Sequence, residues 1–112
     1  MANAYGLTES DMAQIVAACC QFEEIAAVVL FGSRAKGNYK PGSDVDLAVK
    51  GDRITRRTLA QLADLLNEEL PLPYFFDVVH YNSLDQPLVD HIDRVGVVLY
   101  DRANALPQTS AL

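Results

Sequence analysis

Residues 32–46 read GSRAKGNYKPGSDVD, and they follow the apolar run Ile25–Phe31 directly. That run is unbroken and rich in β-branched residues, which predicts a buried strand. Gly32-Ser33 ends it. Glycine lets main-chain N–H groups approach an anion closely, and a serine hydroxyl adds one more hydrogen bond to a phosphate oxygen. Residues 34–43 contain Gly37, Asn38, Pro41 and Gly42, and predict a loop with at most a short helical turn at its start. Asp44 to Lys50 alternates in character and predicts a second strand, able to pair antiparallel with the first. Asp44 and Asp46 then share a face, with Cα atoms roughly 6–7 Å apart, while Val45 and Leu47 point the other way. Aspartate is depleted in strands, and two like charges side by side repel unless a cation sits between them. Hard carboxylate oxygens suit Mg²⁺. Taken singly, Gly-Ser is a turn and Asp-x-Asp a solvated strand edge. Together they set an anion cradle opposite a metal site, which suits metal-assisted attack at a phosphoryl group.

The flanking sequence supplies a scaffold. Thr8, with Asp11 three residues later, predicts a capped helix over Glu9–Phe22, with Met12, Ile15, Val16 and Cys19 at helical spacing. Thr55 predicts the cap of a second helix whose stripe is Leu59, Leu62, Ala63, Leu66 and Leu70, ended by Pro71 and Pro73. Tyr74–Val79 predicts a third strand. Asp77 lies inside it, between Phe76 and Val78, where a simple buried strand would not hold an acid; the alternatives are a functional carboxylate and an edge-strand charge. Ser83 or Asp85 precedes Pro87 at the start of a short helix through Leu88, Val89, Ile92 and Val95, which stops at Gly96. Val97–Tyr100 predicts a last strand. The order α-β-β-α-β-α-β predicts an α/β (α+β) fold of two layers, a mixed sheet with helices packed against it. A single domain is expected over residues 1–102 and a flexible tail over 103–112.

The chain has 112 residues, enough for one compact domain. No apolar run approaches the roughly 20 residues that span a bilayer, and the N-terminus lacks the pattern of a signal peptide, so a cytoplasmic location is expected. Cys19 and Cys20 are adjacent, poorly placed to bridge each other, and lack zinc-ligand spacing. The net charge of −6 argues against nucleic acid as a direct substrate. Arg34, Lys36, Lys40, Lys50, Arg53, Arg56 and Arg57 nonetheless fall in one stretch, and predict either a solvated face or a patch beside a nucleoside triphosphate. Tyr39 offers a ring that can stack on a base or pack locally. His80 and His91 are expected as surface or packed residues. With half the residues hydrophobic in so small a domain, an apolar face covered by a partner or a second copy is expected.

The pattern Gly-Ser-x₁₀-Asp-x-Asp resembles the signature of the polymerase-β-type nucleotidyltransferase superfamily, and within it the minimal nucleotidyltransferases of bacteria and archaea. The resemblance runs from about Val28 to Asp101. It implies a Mg²⁺-dependent nucleotidyltransferase, with ATP the expected donor. By the same resemblance, Gly32, Ser33, Arg34, Lys36 and Ser43 would contact the nucleotide. Asp44, Asp46 and Asp77 would be the catalytic, metal-ligating triad of a two-metal site. It departs at His80, where related sequences often carry an acid. Such minimal proteins commonly pair with a helical HEPN-type protein encoded nearby and act as the antitoxin, some adding AMP to a tyrosine of that partner. A non-catalytic nucleotide- or partner-binding module, and a nucleotidyltransferase for small molecules of the antibiotic type, stand as alternatives.

Overall fold

The computed structural model describes residues 5–103, so the predicted tail lies almost wholly outside the described residues. The Thr8 hydroxyl accepts from the Asp11 N–H at 2.9 Å, and the Asp11 carboxylate accepts from the Thr8 N–H at 3.0 Å. This capping box starts α1 (Glu9–Cys20). The apolar run yields β1 (Ala27–Phe31), which passes directly into a short helix, α2 (Gly32–Lys36). After a loop come β2 (Val45–Lys50) and α3 (Arg56–Asp64), the latter capped by Thr55 and Thr58 bonding reciprocally. A wide π turn over Leu65–Glu69 continues α3, followed by β3 (Phe76–His80), a 3₁₀ turn (Tyr81–Ser83), α4 (Gln86–Val95) and β4 (Val97–Asp101). Asp85 caps α4, with Pro87 in its first turn.

The strands form one sheet in the order β3-β2-β1-β4. β1 is antiparallel to both β2 and β4, and β2 is parallel to β3. A parallel pair needs a crossover, and α3 with its π turn supplies it. Strand alternation then sorts residues by face. Val28, Leu30, Val45, Leu47, Val49 and Phe76 point to one side, where they pack with Leu7, Ile15, Ala18, Cys19, Leu62 and Leu66 from α1, α3 and their flanks. Each fully buried Leu or Val there contributes about 1.5–3 kcal/mol. Pairing between β1 and β4 slips between Val28↔Tyr100 and Val29↔Val98. The extra residue lets both Leu99 and Tyr100 turn into this core.

The opposite face is covered less completely. Val29, Phe31, Ala48 and Ile92 make a small second cluster, with Leu84 and Leu88 packed against it. Asp46 and Asp77 belong to this face by alternation. The mixed sheet with helices packed against it is the architecture that the sequence predicts. Among the described residues, no helix is long and apolar enough to cross a membrane. Cys19 is buried and Cys20 exposed. Burial, followed by the neighbouring Cys20, pushes the Cys19 thiol up to about 12.

Candidate active site

β1 ends where the second face meets Asp46. Phe31 pairs in register with Asp46 on β2, and Asp46 pairs with Asp77 on β3. The three residues make one row across three strands, and neighbouring strands lie about 4.8 Å apart. Gly32, the next residue, has φ +74°, and a Cβ there would run into the Asp46 carboxylate. Only glycine lets the backbone turn from β1 into α2 in left-handed geometry while pressed against that side chain. α2 stops at Gly37, again left-handed at φ +82°, with the Asn38 N–H closing back on the Ser33 carbonyl at 3.1 Å.

Asp46 is half-buried, while Asp44 and Asp77 are exposed. Burial, then the charge of Asp77, then that of Asp44 push the Asp46 carboxyl above its usual range. β3 is an edge strand, and its entry is pinned by Asn67 on the π turn. The Asn67 amide donates to the Phe76 carbonyl at 3.0 Å, and its side-chain oxygen accepts from the Phe76 N–H at 2.7 Å. The lead-in to β3 also joins β2 through the Val45 N–H and the Phe75 carbonyl at 2.9 Å. These bonds hold Asp77 level with Asp46.

The loop between α2 and β2 is ordered from within. The Ser43 N–H bonds the Lys40 carbonyl at 2.9 Å, and the Lys40 N–H bonds the Ser43 hydroxyl at 2.8 Å. Arg34 is buried beneath it, at 3% exposed. Its Nε and Nη2 donate to the Ser43 carbonyl at 3.1 and 2.9 Å, and its Nη1 to the Tyr5 carbonyl at 2.8 Å. The rings of Tyr39 and Tyr74 flank the guanidinium, each centroid 4.9 Å from Cζ.

The sequence model of the family described as polymerase beta, nucleotidyltransferase matches residues 13–105. The chain belongs to that family. No curated protein matches it. Solved structures share its fold. A chain of a toxin–antitoxin complex with AMP-PNP superposes with a TM-score of 0.70 at 23% identity, over 85% of this chain and 77% of that one. A chain of the MntA–HepT toxin–antitoxin complex gives 0.65 at 20% identity, covering 88% and 76%. A chain of the complex of tri-AMPylated Shewanella oneidensis HEPN toxin with MNT antitoxin gives 0.63 at 21% identity, covering 84% and 72%.

Within this nucleotidyltransferase fold, the predicted site residues separate into two groups. Gly32, Ser33, Asp44, Asp46 and Asp77 gather at one end of the sheet. Arg34 is buried, and its hydrogen bonds go to main-chain carbonyls, because burial demands that a guanidinium find partners. The Ser43 hydroxyl accepts from the Lys40 N–H of its own turn, and the half-buried Tyr39 ring lies on Arg34. Lys36 remains exposed on α2. The basic stretch is also divided by the fold. Lys36 and Lys40 lie on α2 and the loop that precedes Asp44, but Lys50 is the last residue of β2, and Arg53, Arg56 and Arg57 lie beyond it. His91 packs edge-on to Phe31, ring centroids 6.4 Å apart, and the His80 Nδ1 meets the Ser83 hydroxyl at 3.1 Å.

The acids fit a hard divalent cation in kind, since every donor is a carboxylate oxygen and Asp46 is burdened by its two neighbours. The expected three-acid centre is not preformed: among the described residues, no three His, Cys, Asp or Glu side chains are grouped tightly enough to hold a metal. Mg²⁺ sites on nucleotides commonly take one or two carboxylates, with phosphates and waters completing the shell. Asn67 and Tyr74 escaped sequence reading, since their partners are distant main-chain groups or an acid 63 residues away.

Proposed function

We propose that this chain transfers AMP from ATP, with Mg²⁺, to a hydroxyl of a HEPN-type partner protein, as the antitoxin of a toxin–antitoxin pair. The observation that carries it is the row Phe31–Asp46–Asp77, closed on one side by the Gly32 backbone. It puts two register-paired carboxylates, with Asp44 at the strand entry, beside a glycine-serine turn. Gly32 and Ser33 hold the β- and γ-phosphates, and Lys36 adds charge from the exposed side of α2. Asp44 and Asp46 are the carboxylates that would hold Mg²⁺, with Asp77 completing the set. Bound there, Mg²⁺ would neutralise charge on the triphosphate and on the departing pyrophosphate. Asp77, on the exposed edge strand, accepts the proton of the attacking hydroxyl. Attack at the α-phosphorus forms the new P–O bond as the bond to pyrophosphate breaks.

Support for the acceptor comes from the folds this chain shares: one neighbour is a complex with AMP-PNP and another contains a tri-AMPylated HEPN toxin beside its MNT antitoxin. The test is co-expression with a HEPN-like protein encoded beside this gene, followed by intact-mass measurement of that protein. Whole adenylate units are expected with the wild-type chain and none with the Asp44→Asn/Asp46→Asn double variant. Equal modification by both would sink the proposal.

A further inference from the structure

We propose that Arg34 is a positioning residue which, through the Ser43 carbonyl, fixes the strand entry that carries Asp44 and ties it to the turn that carries Gly32-Ser33. The inference rests on the nucleotidyl-transfer reading of the site. A buried cation held by three hydrogen bonds to two carbonyls is a structural strut rather than a free charge. Two of those bonds converge on the carbonyl one residue before Asp44, so they set the direction of the Ser43–Asp44 peptide. Arg34 itself sits on α2, one residue after Ser33. One side chain therefore spans both halves of the site.

The surroundings leave it little freedom. Tyr74, on one flank, leads into β3, and its hydroxyl donates to the Asp11 carboxylate at 2.6 Å. Tyr39, on the other flank, belongs to the loop being held. Gly6 closes the top so tightly that a Cβ there would stand 2.6 Å from Nη1 and 2.7 Å from the Tyr39 ring. The N-terminal segment, α1, α2, the loop and the lead-in to β3 thus meet at one guanidinium. A planar fork makes this arrangement possible. Lysine, a point charge on a flexible stem, keeps the charge and loses the geometry.

The comparison of Arg34→Lys with Arg34→Gln separates strut from phosphate ligand. As a strut, both variants release the loop. Amides of residues 39–45 then exchange about tenfold faster or more, while amides in the middle of β1 and β2 keep wild-type protection. In transfer assays with the acceptor, both lose about 100-fold in kcat with KM for ATP within about threefold. As a phosphate ligand, Arg34→Lys instead retains loop protection and kcat, and Arg34→Gln alone loses affinity for α,β-methylene-ATP. That pattern overturns the inference. If Arg34→Lys does not fold, Tyr39→Leu removes one flanking ring from a half-buried position and is expected to loosen the same amides; unchanged exchange in it overturns the inference too. A wild-type chain that transfers no nucleotide sinks the functional proposal, while the exchange pattern still decides the role of Arg34.

Discussion

At the residue scale, Gly32 and Asp46 are bound to each other. An alanine at position 32 must adopt φ +74° and push the Asp46 carboxylate aside. The strain is about 1–3 kcal/mol, and a short side chain can swing away, so the fold survives. Under the proposed transfer the chemistry suffers more, because displacing a metal-holding carboxylate by about 1 Å costs on the order of 100-fold in rate. Gly32→Ala is therefore expected to fold with a modestly lowered midpoint and to lose about 100-fold in transfer, read by thermal melts beside the intact-mass assay. Asp46 gives a second prediction with a defined sign. Its carboxyl is raised by burial and by two neighbouring acids, so the folded chain holds that proton more tightly than the unfolded one. Stability from this group falls as pH rises from the unfolded value through the folded one. Asp46→Asn is expected to melt a few degrees higher than wild type at pH 7, the gap closing as pH falls below the usual carboxylate range. A lower midpoint at pH 7 would refute the repulsion. The acid pair was legible because charges two apart in a strand break its pattern. The role of Arg34 was not, because carbonyls of Tyr5 and Ser43 leave no mark in the sequence.

Among the elements, α1 shows what local sequence can and cannot reveal. Its capping box was legible at Thr8 and Asp11, since both partners lie within one turn. The same Asp11 also accepts from Tyr74, far along the chain, and nothing in the sequence announces that. Burial alone would raise the Asp11 carboxyl, but the Tyr74 hydroxyl, the Thr8 N–H and hydroxyl, and the Arg34 charge together hold it below the usual range. A depressed carboxyl contributes stability that is present above the unfolded value near 3.9 and lost as pH falls through the folded one. Asp11→Asn is expected to cost about 1–2 kcal/mol at pH 7, in line with loss of a charge-assisted hydrogen bond. The difference should vanish in strong acid, and melts at the two extremes check it; a constant gap would mean that packing, not charge, is what Asp11 provides. α2 and the π turn were harder to read. Gly32-Ser33 looks like a turn because its helix lasts only five residues. The leucine stripe keeps its spacing through Leu66, and the widened turn shows in hydrogen bonding, as in the bond from the Leu70 N–H to the Leu65 carbonyl at 3.0 Å.

At the scale of the whole molecule, the sheet separates charges that the sequence places together. Arg34 through Arg57 read as one basic stretch, yet β2 runs through the middle of it. Four steps at about 3.3 Å each carry the chain some 13 Å from Asp46 to Lys50, before Arg53 is reached. That alone exceeds the screening length of about 8 Å at physiological salt. Arg53, Arg56 and Arg57 are also exposed, so water screens them further. Near the site, Lys36 and Lys40 remain as exposed cations. Replacing Arg53, Arg56 and Arg57 together by Gln is thus expected to leave affinity for α,β-methylene-ATP within about twofold at physiological salt. Replacing Lys36 alone should weaken it by about fivefold, the loss shrinking as salt rises. Isothermal titration at two salt concentrations measures both. A tenfold loss in the triple arginine variant, with Lys36→Gln near wild type, would move the triphosphate to the far end of the sheet and away from Asp46.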